Sequence, residues 1–289
     1  MGGSLRFEAP TALQYFAALV ADDASFSVVE AAISVAQDDY PRLDPQDALA
    51  QIDTLAARLK KRLPADAAPL QKLRLLNRYF FHELGFAGNV NDYYDPRNSY
   101  LPEVLKTRRG IPITIALLYI EVASQVGLAA SGVSFPGNFL VKLRMPRGEV
   151  VLDPFSGHSL SREELDERLV PYRRQRGLIG DFEAPLGLFL QTAPPRDVIA
   201  RLLRNLKEIH RTASDWPRLL AVQERLVILL PQAWEERRDR GLAHAELGND
   251  GLAAADLAAY LEHRPDAGDA AALRGRLDGL RGPAQPRQH

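Results

Sequence analysis

Gly110-Ile-Pro-Ile-Thr-Ile-Ala-Leu-Leu-Tyr-Ile-Glu-Val-Ala-Ser-Gln-Val-Gly127 is the stretch on which the reading of the fold turns. From Pro112 to Val126 it is apolar almost all round, with Glu121 its only charge. A helix with so little polar face must be surrounded by protein, and proline at the first helical position is pre-set for the helix because its missing N–H would be unbonded there anyway. The spacing therefore predicts a buried central helix over 112–126, stopped by Gly127. Three short runs follow, at 131–135, 139–144 and 149–152, and Met145-Pro-Arg-Gly148 between the last two has the composition of a hairpin turn. One buried helix followed by a small antiparallel sheet is an α+β arrangement.

Towards the N-terminus the chain reads as helices. Leu13, Phe16, Ala17 and Val20 recur at helical spacing, as do Leu49, Ile52, Leu55, Ala56 and Leu59, and then Leu73, Leu76, Phe80 and Leu84. Pro41, Pro45, Pro64 and Pro69 fall between these runs, where prolines start or end helices. From Gly85 to Tyr100 turn formers and tyrosines replace the period. Two readings stand for this long segment: a loop packed over the core by Tyr93, Tyr94 and Tyr100, or a site loop.

Beyond Pro194 the pattern is wholly helical and repeats. Pro231 and Pro265 lie 34 residues apart, and the segments from Asp215 and Asn249 align with them, which is the tetratricopeptide period. We expect helix pairs over about 199–229 and 233–262, turning near Asp215 and Gly248. The expected domains are 1–193 and 194–281, with 282–289 a disordered tail.

Composition narrows the function. Thirty-six basic and thirty-seven acidic residues leave a net charge of -1, so no global field draws the chain to nucleic acid or to an anionic membrane. No secretory signal or membrane span is readable, and a cytoplasmic protein is expected. Cysteine is absent, which excludes disulfides, cysteine-bound zinc and any thiolate nucleophile. The histidines, at 82, 158, 210, 244, 263 and 289, show no paired-ligand spacing, and no phosphate-binding glycine motif occurs, so neither metal nor cofactor is expected. Arg168, Arg173, Arg174 and Arg176, then Arg201, Arg204, Lys207 and Arg211, make the middle of the chain locally basic; such a run reads as a solvated helix face or as a patch for an acidic partner.

The order buried helix, strand, strand is that of a papain-like or transglutaminase-like core, in which a cysteine at the helix start is activated by the helix dipole, a histidine on the first strand is the base and an aspartate on the next orients it. The hairpin brings Asn138 and Asp153 to one end, offset by a few residues that a bulge could absorb. Several longer motifs point the same way: Phe-Ala-Gly-Asn (86–89), Asp-Tyr-Tyr-Asp (92–95), Asn98-Ser-Tyr-Leu-Pro-Glu-Val-Leu105, Arg109-Gly-Ile-Pro-Ile113, Gly-Val-Ser-Phe-Pro-Gly-Asn-Phe-Leu-Val (132–141) and Leu-Asp-Pro-Phe-Ser-Gly (152–157). In these motifs the chain resembles the SirB1 family, over roughly residues 13–265. The resemblance implies a transglutaminase-like core followed by tetratricopeptide repeats.

It does not imply the ancestral chemistry. Pro112 stands where the cysteine of active transglutaminase-like enzymes opens the helix, and Asn138 where the family's strand motif usually has histidine; only Asp153 keeps the chemical type of its counterpart. Proline offers no nucleophile and an amide is no base near neutral pH. The expectation is a non-catalytic protein, a degenerate enzyme in which Pro112, Asn138 and Asp153 mark the old triad and a protein or peptide partner binds the repeats. Candidate binding residues are Asn98 and Arg109, from the resembling motifs, with Thr114, Asn138, Asp153 and His158. The alternative is a hydrolase or acyltransferase with a rebuilt site, in which Thr114 or a water works with His158 and Asp153.

Overall fold

The computed structural model describes residues 10–178 and 184–281, and the chain divides into two compact units. One spans residues 23–202; the other is built from the described parts of 1–22 and 203–289. This differs from the expected cut at 193/194, because helix α1 (Ala12–Leu19) belongs with the C-terminal helices. The reason is local: Phe16 is fully buried, and the guanidinium of the equally buried Arg225 lies 4.9 Å from its ring centroid. The expected tail, 282–289, lies outside the described residues.

In the unit 23–202, helices α2 (Val28–Ser34), α3 (Pro45–Lys60) and α4 (Pro69–Asn77) come first, and Pro45 and Pro69 open the last two as their positions predict. The periodic positions Ile52, Leu55, Ala56 and Leu59 form the buried face of α3. A π-helical turn, Arg78–Glu83, ends α4 and re-aims the chain towards β1 (Ala87–Gly88). After α5 (Leu101–Thr107), β2 (Arg109–Gly110) pairs in parallel with β1 and leads directly into α6 (Pro112–Gln125). Every residue from Ile113 to Tyr119 in α6 is buried, as are Val122 and Ala123, so this is the central helix that the apolar run predicts.

Strands β3 (Ala130–Val133), β4 (Leu140–Met145), β5 (Gly148–Asp153) and β6 (His158–Leu160) form one antiparallel sheet in chain order. The β4–β5 hairpin pairs Met145 with Gly148, so Pro146 and Arg147 make a two-residue loop and Gly148 takes the φ of +136° that glycine tolerates. Helix α7 (Arg162–Arg176) starts with a reciprocal cap between Ser161 and Glu164 and ends at Gly177, φ +66°. It lays Leu165 and Leu169 against Val133, Phe135, Leu140 and Val151, with Leu186 from the short helix α8 (Leu186–Phe189) completing the cluster.

The helical region comprises α9 (Pro195–Thr212), in which the boundary between units falls, then α10 (Trp216–Leu229), α11 (Trp234–Glu246), α12 (Asp250–His263) and α13 (Ala270–Arg281). Helices α10 and α12 start and end 34 residues apart. The turns before them superpose in detail: Ser214 and Gly248 both have positive φ, and the backbone N–H groups of Asp215 and Asn249 donate to the carbonyls of His210 and His244, each at 2.9 Å. These are helix-pair repeats of the tetratricopeptide kind, turning at Asp215 and Gly248 as the proline spacing predicts.

Candidate functional site

The residues singled out from the sequence fall into three neighbouring groups in the unit 23–202. The first lies under the start of α6. Thr114 has no exposed surface; its hydroxyl oxygen sits 2.8 Å from the Asn98 carbonyl and 3.0 Å from the Ile111 carbonyl and accepts the Ile111 N–H at 3.2 Å. A hydroxyl so engaged closes the helix start. Gly110 is packed against it, since a Cβ there would meet the Thr114 oxygen at 2.6 Å. Buried Asn98 organises the preceding loop: its amide donates to the carbonyls of Asp92 (2.6 Å) and Tyr93 (3.3 Å) and its oxygen accepts from Asn89 (3.0 Å). Arg109 is exposed and donates to the Gly85 carbonyl at 2.5 Å, tying the two ends of the 85–109 segment.

The second group surrounds Asp153 at the end of β5. One carboxylate oxygen accepts the Phe155 N–H at 3.0 Å and the other accepts from Arg168 of α7 at 3.0 Å. Asp153 is paired in register with His158 on β6, yet His158 is exposed and its ring makes no hydrogen bond among the described residues. The Phe155 carbonyl accepts the Gly88 N–H at 2.9 Å, and the Phe155 ring lies so close over Gly88 that a Cβ there would come within 2.1 Å of it. The loop after Asp153 is thereby held on the strand pair that feeds α6.

The third group is the turn before β4. Asn138 closes it by donating its N–H to the Phe135 carbonyl at 3.0 Å, with Gly137 at φ +73°. Continuing the β4–β5 register puts Asp153 opposite Leu140, so the offset to Asn138 is taken up by this turn and the pairing stays regular without a bulge. Arg201 of α9 donates to the same Phe135 carbonyl at 3.3 Å, and its guanidinium lies 5.6 Å from the Phe139 ring centroid. Burial lowers the Arg201 pKa, with Tyr93 opposing, and desolvation raises that of Tyr93. Tyr93 in turn lies 6.1 Å from Phe155 between ring centroids, which connects the second and third groups.

Two expectations need correction. Tyr100 packs into the core, with its hydroxyl donating to Asp39, but Tyr93 and Tyr94 are 44% and 76% exposed, so the loop is only partly a cover. The basic run is not a uniformly solvated face either: Arg168 pairs with Asp153, Arg173 is buried against Asp166, and Arg204 and Lys207 share Glu236. Arg168 and Arg201 are site residues that the sequence reading named only as members of the basic run. The available signal was Val198-Ile-Ala-Arg-Leu-Leu203, a lone cation inside an apolar run. Among the described residues no group of three His, Asp or Glu side chains is placed to hold a metal ion, and no helix is long and apolar enough to cross a membrane.

In the repeats, a groove of about 730 Å³ is lined by residues of α9, α11 and α13, with Trp216, Leu219 and Gln223 of α10. Lys207, Arg238 and Arg276 alternate around it with Asp239, Asp269 and Glu246, most of them paired across the helices at 2.5–2.7 Å. Gln223 is buried and neither end of its carboxamide has a hydrogen-bond partner among the described residues.

The family description "Transglutaminase-like superfamily" matches residues 46–204, and "Tetratricopeptide repeat" matches residues 206–278. Fold and matches together define a transglutaminase-like core followed by tetratricopeptide repeats. A UPF0162 protein of Xylella fastidiosa is 39% identical over 89% of this chain and 90% of its own length. A UPF0162 protein of Pseudomonas aeruginosa is 30% identical over 76% and 78%, and Protein SirB1 of Salmonella typhimurium 28% identical over 79% and 82%. The chain belongs to the SirB1/UPF0162 family. No solved structure is significantly similar to it.

Proposed function

We propose that this chain is a cytoplasmic, non-catalytic transglutaminase-like protein whose repeats bind a segment of another protein. The observation that carries the reading is the repeat groove, which is lined by apolar Trp216, Leu219, Leu242 and Leu273 together with charges of both signs. A peptide suits such a surface, with apolar side chains to cover Trp216, Leu219, Leu242 and Leu273 and polar or charged ones to meet the charges beside them.

Three features of the core support the absence of acyl transfer. Pro112 occupies the helix start where a nucleophile would stand, the Thr114 hydroxyl is committed to backbone groups, and Asp153 is held by Arg168 and the Phe155 N–H with no bond to His158. A rebuilt site of Thr114, His158 and Asp153 would need a buried and an exposed residue to meet.

The test uses the full chain carrying a photo-crosslinker at Leu242, compared with the same chain bearing Arg211→Glu and Arg276→Glu, both groove residues with exposed side chains. One defined protein should be captured by the first and lost by the second, with circular dichroism unchanged. Equal capture by both removes the groove from the reading. Hydrolysis of amide or ester substrates above background, abolished by Asp153→Ala, overturns its non-catalytic half.

A further inference from the structure

The Arg201 guanidinium is half-buried, makes one hydrogen bond, to the Phe135 carbonyl at 3.3 Å, and has no carboxylate partner among the described residues. That contact and the Phe139 ring beneath it use one of five N–H donors and one face. The remaining donors are not among the buried unsatisfied atoms, so they open to solvent. A cation moved partly out of water without a counter-ion raises the energy of the folded chain, and burial acts on Arg201 in that sense. Arginine is seldom left so unless something else meets its fork.

What surrounds it is also uncommitted. Asn138 closes the same turn through its backbone, while its carboxamide makes no hydrogen bond among the described residues and is partly exposed. The Tyr93 hydroxyl is within electrostatic reach of Arg201 and likewise lacks a partner among the described residues. No acid answers the charge: Tyr93 is the one group that opposes the effect of burial on Arg201, and Asp153, at the end of β5, is already neutralised by Arg168 at 3.0 Å. The local balance is one unopposed positive charge over the Phe139 ring, sharing the Phe135 carbonyl with the Asn138 N–H and coupled to Tyr93, whose ring lies 6.1 Å from that of Phe155.

We propose that this place, the former base position of the transglutaminase-like core, is a binding subsite for a peptide-borne carboxylate, taken bidentately by Arg201 with Asn138 and Tyr93 donating to its oxygens. A single unpaired fork matches a planar monoanion; a phosphate dianion would call for a second cation. The carboxylate belongs either to a chain terminus or to an acidic side chain. The subsite lies in the unit 23–202, so it stands whether or not the repeat groove binds anything.

The test is an NMR titration of the full chain, labelled with nitrogen-15, following the Asn138 side-chain amide and the Arg201 Nε–H. The probes are N-acetyl-alanyl-alanine, its C-terminal amide, the α-amide of N-acetyl-aspartic acid, which keeps only its side-chain carboxylate, and inorganic phosphate. Saturable shifts of both signals with a carboxylate probe, and binding of the C-terminal amide about tenfold weaker or worse, support the proposal. Which of the two carboxylate probes binds tells terminus from side chain. Arg201→Gln should remove the response and Arg201→Lys weaken it, since lysine keeps charge but not the fork. Because Arg201 also braces the turn, Asn138→Ala serves as a second variant that leaves that brace in place and should weaken binding several-fold. Equal response to acid and amide, no response to any carboxylate at millimolar concentration, tighter binding of phosphate, or unchanged affinity in Arg201→Gln overturns it.

Discussion

Thr114 discriminates between a structural hydroxyl and a reactive one, and its replacement series can be worked out from the contacts. In Thr114→Val a methyl takes the place of the hydroxyl, so shape is kept and no cavity forms. The Asn98 carbonyl retains the Ile111 N–H at 3.3 Å and the Ile111 carbonyl retains the Ile115 N–H at 3.2 Å, so no backbone group is orphaned. The loss is then one to two net hydrogen bonds, about 1–2 kcal/mol, without the larger penalty for an unpaired buried group. Thr114→Ser keeps the hydroxyl and deletes one buried methyl, about 1 kcal/mol. Thr114→Ala loses both, about 2–3 kcal/mol. On a unit of this size each kcal/mol is roughly 2–4 °C, so melting should fall by about 2–8 °C for Val and further for Ala, with the urea midpoint moving in the same order at constant slope. Ala no worse than Ser would mean that the hydroxyl contributes nothing and the account of the helix start is wrong. Loss of a hydrolytic activity in Thr114→Val with stability unchanged would restore Thr114 as a nucleophile.

The repeat alignment predicts reciprocal glycine effects at equivalent turns: Ser214→Gly relieves a φ of +53° and should stabilise by about 0.5–1 kcal/mol, whereas Gly248→Ser, at φ +75°, should cost about 1 kcal/mol, both read by urea denaturation. His244 is held neutral, with desolvation lowering its pKa from 6.5 and Asn249 donating to its Nδ1; its contribution is full above about pH 6.5 and is lost as pH falls below it, so the melting temperature of the chain should drop there and His244→Gln should flatten that limb. Gly88→Ala should cost about 1–3 kcal/mol, because the Phe155 ring must leave its seat over Gly88, and near-ultraviolet circular dichroism should change with it.

What the sequence made legible was whatever depends on local pattern. The all-round apolar run fixed α6, the Met145–Gly148 turn fixed the hairpin, and the proline spacing fixed the repeat, because periodicity and turn chemistry are short-range signals. The grouping of α1 with the C-terminal helices was not legible: an amphipathic helix announces that it has an apolar face but not which distant face covers it. The short strand β6 carries no alternation long enough to read, and it exists because Asp153 and His158 pair across the Pro154–Gly157 turn. At the site, Thr114, Asn138 and Asp153 could be picked out by type and order. Their partners could not, since the Asn98 carbonyl and the Arg168 side chain reach them through tertiary contact.

Ion pairing separates the cations of the basic run by what each can still do. Arg168, Arg173, Arg204 and Lys207 have acids within 2.7–3.1 Å: Arg168 ties α7 to the end of β5, Arg173 pairs within α7, and Arg204 and Lys207 tie α9 to α11. Arg174 and Arg176 are exposed, so water solvates them at no cost to the fold and their presence implies nothing about a ligand. Arg201 fits neither case. It is too buried to be indifferent to a partner and too open to be satisfied by the chain, and it braces the turn that carries Asn138. Replacing it with an apolar residue of similar length, Arg201→Met, removes the desolvation penalty while keeping the packing on Phe139. If Arg201 is present for an external anion, that variant should be as stable as the parent or more so and lose only binding. If it is present to hold the turn, stability should fall by at least the net worth of its bond to the Phe135 carbonyl, roughly 1.5–3 kcal/mol for a charged donor, and the two outcomes are separable in one denaturation series.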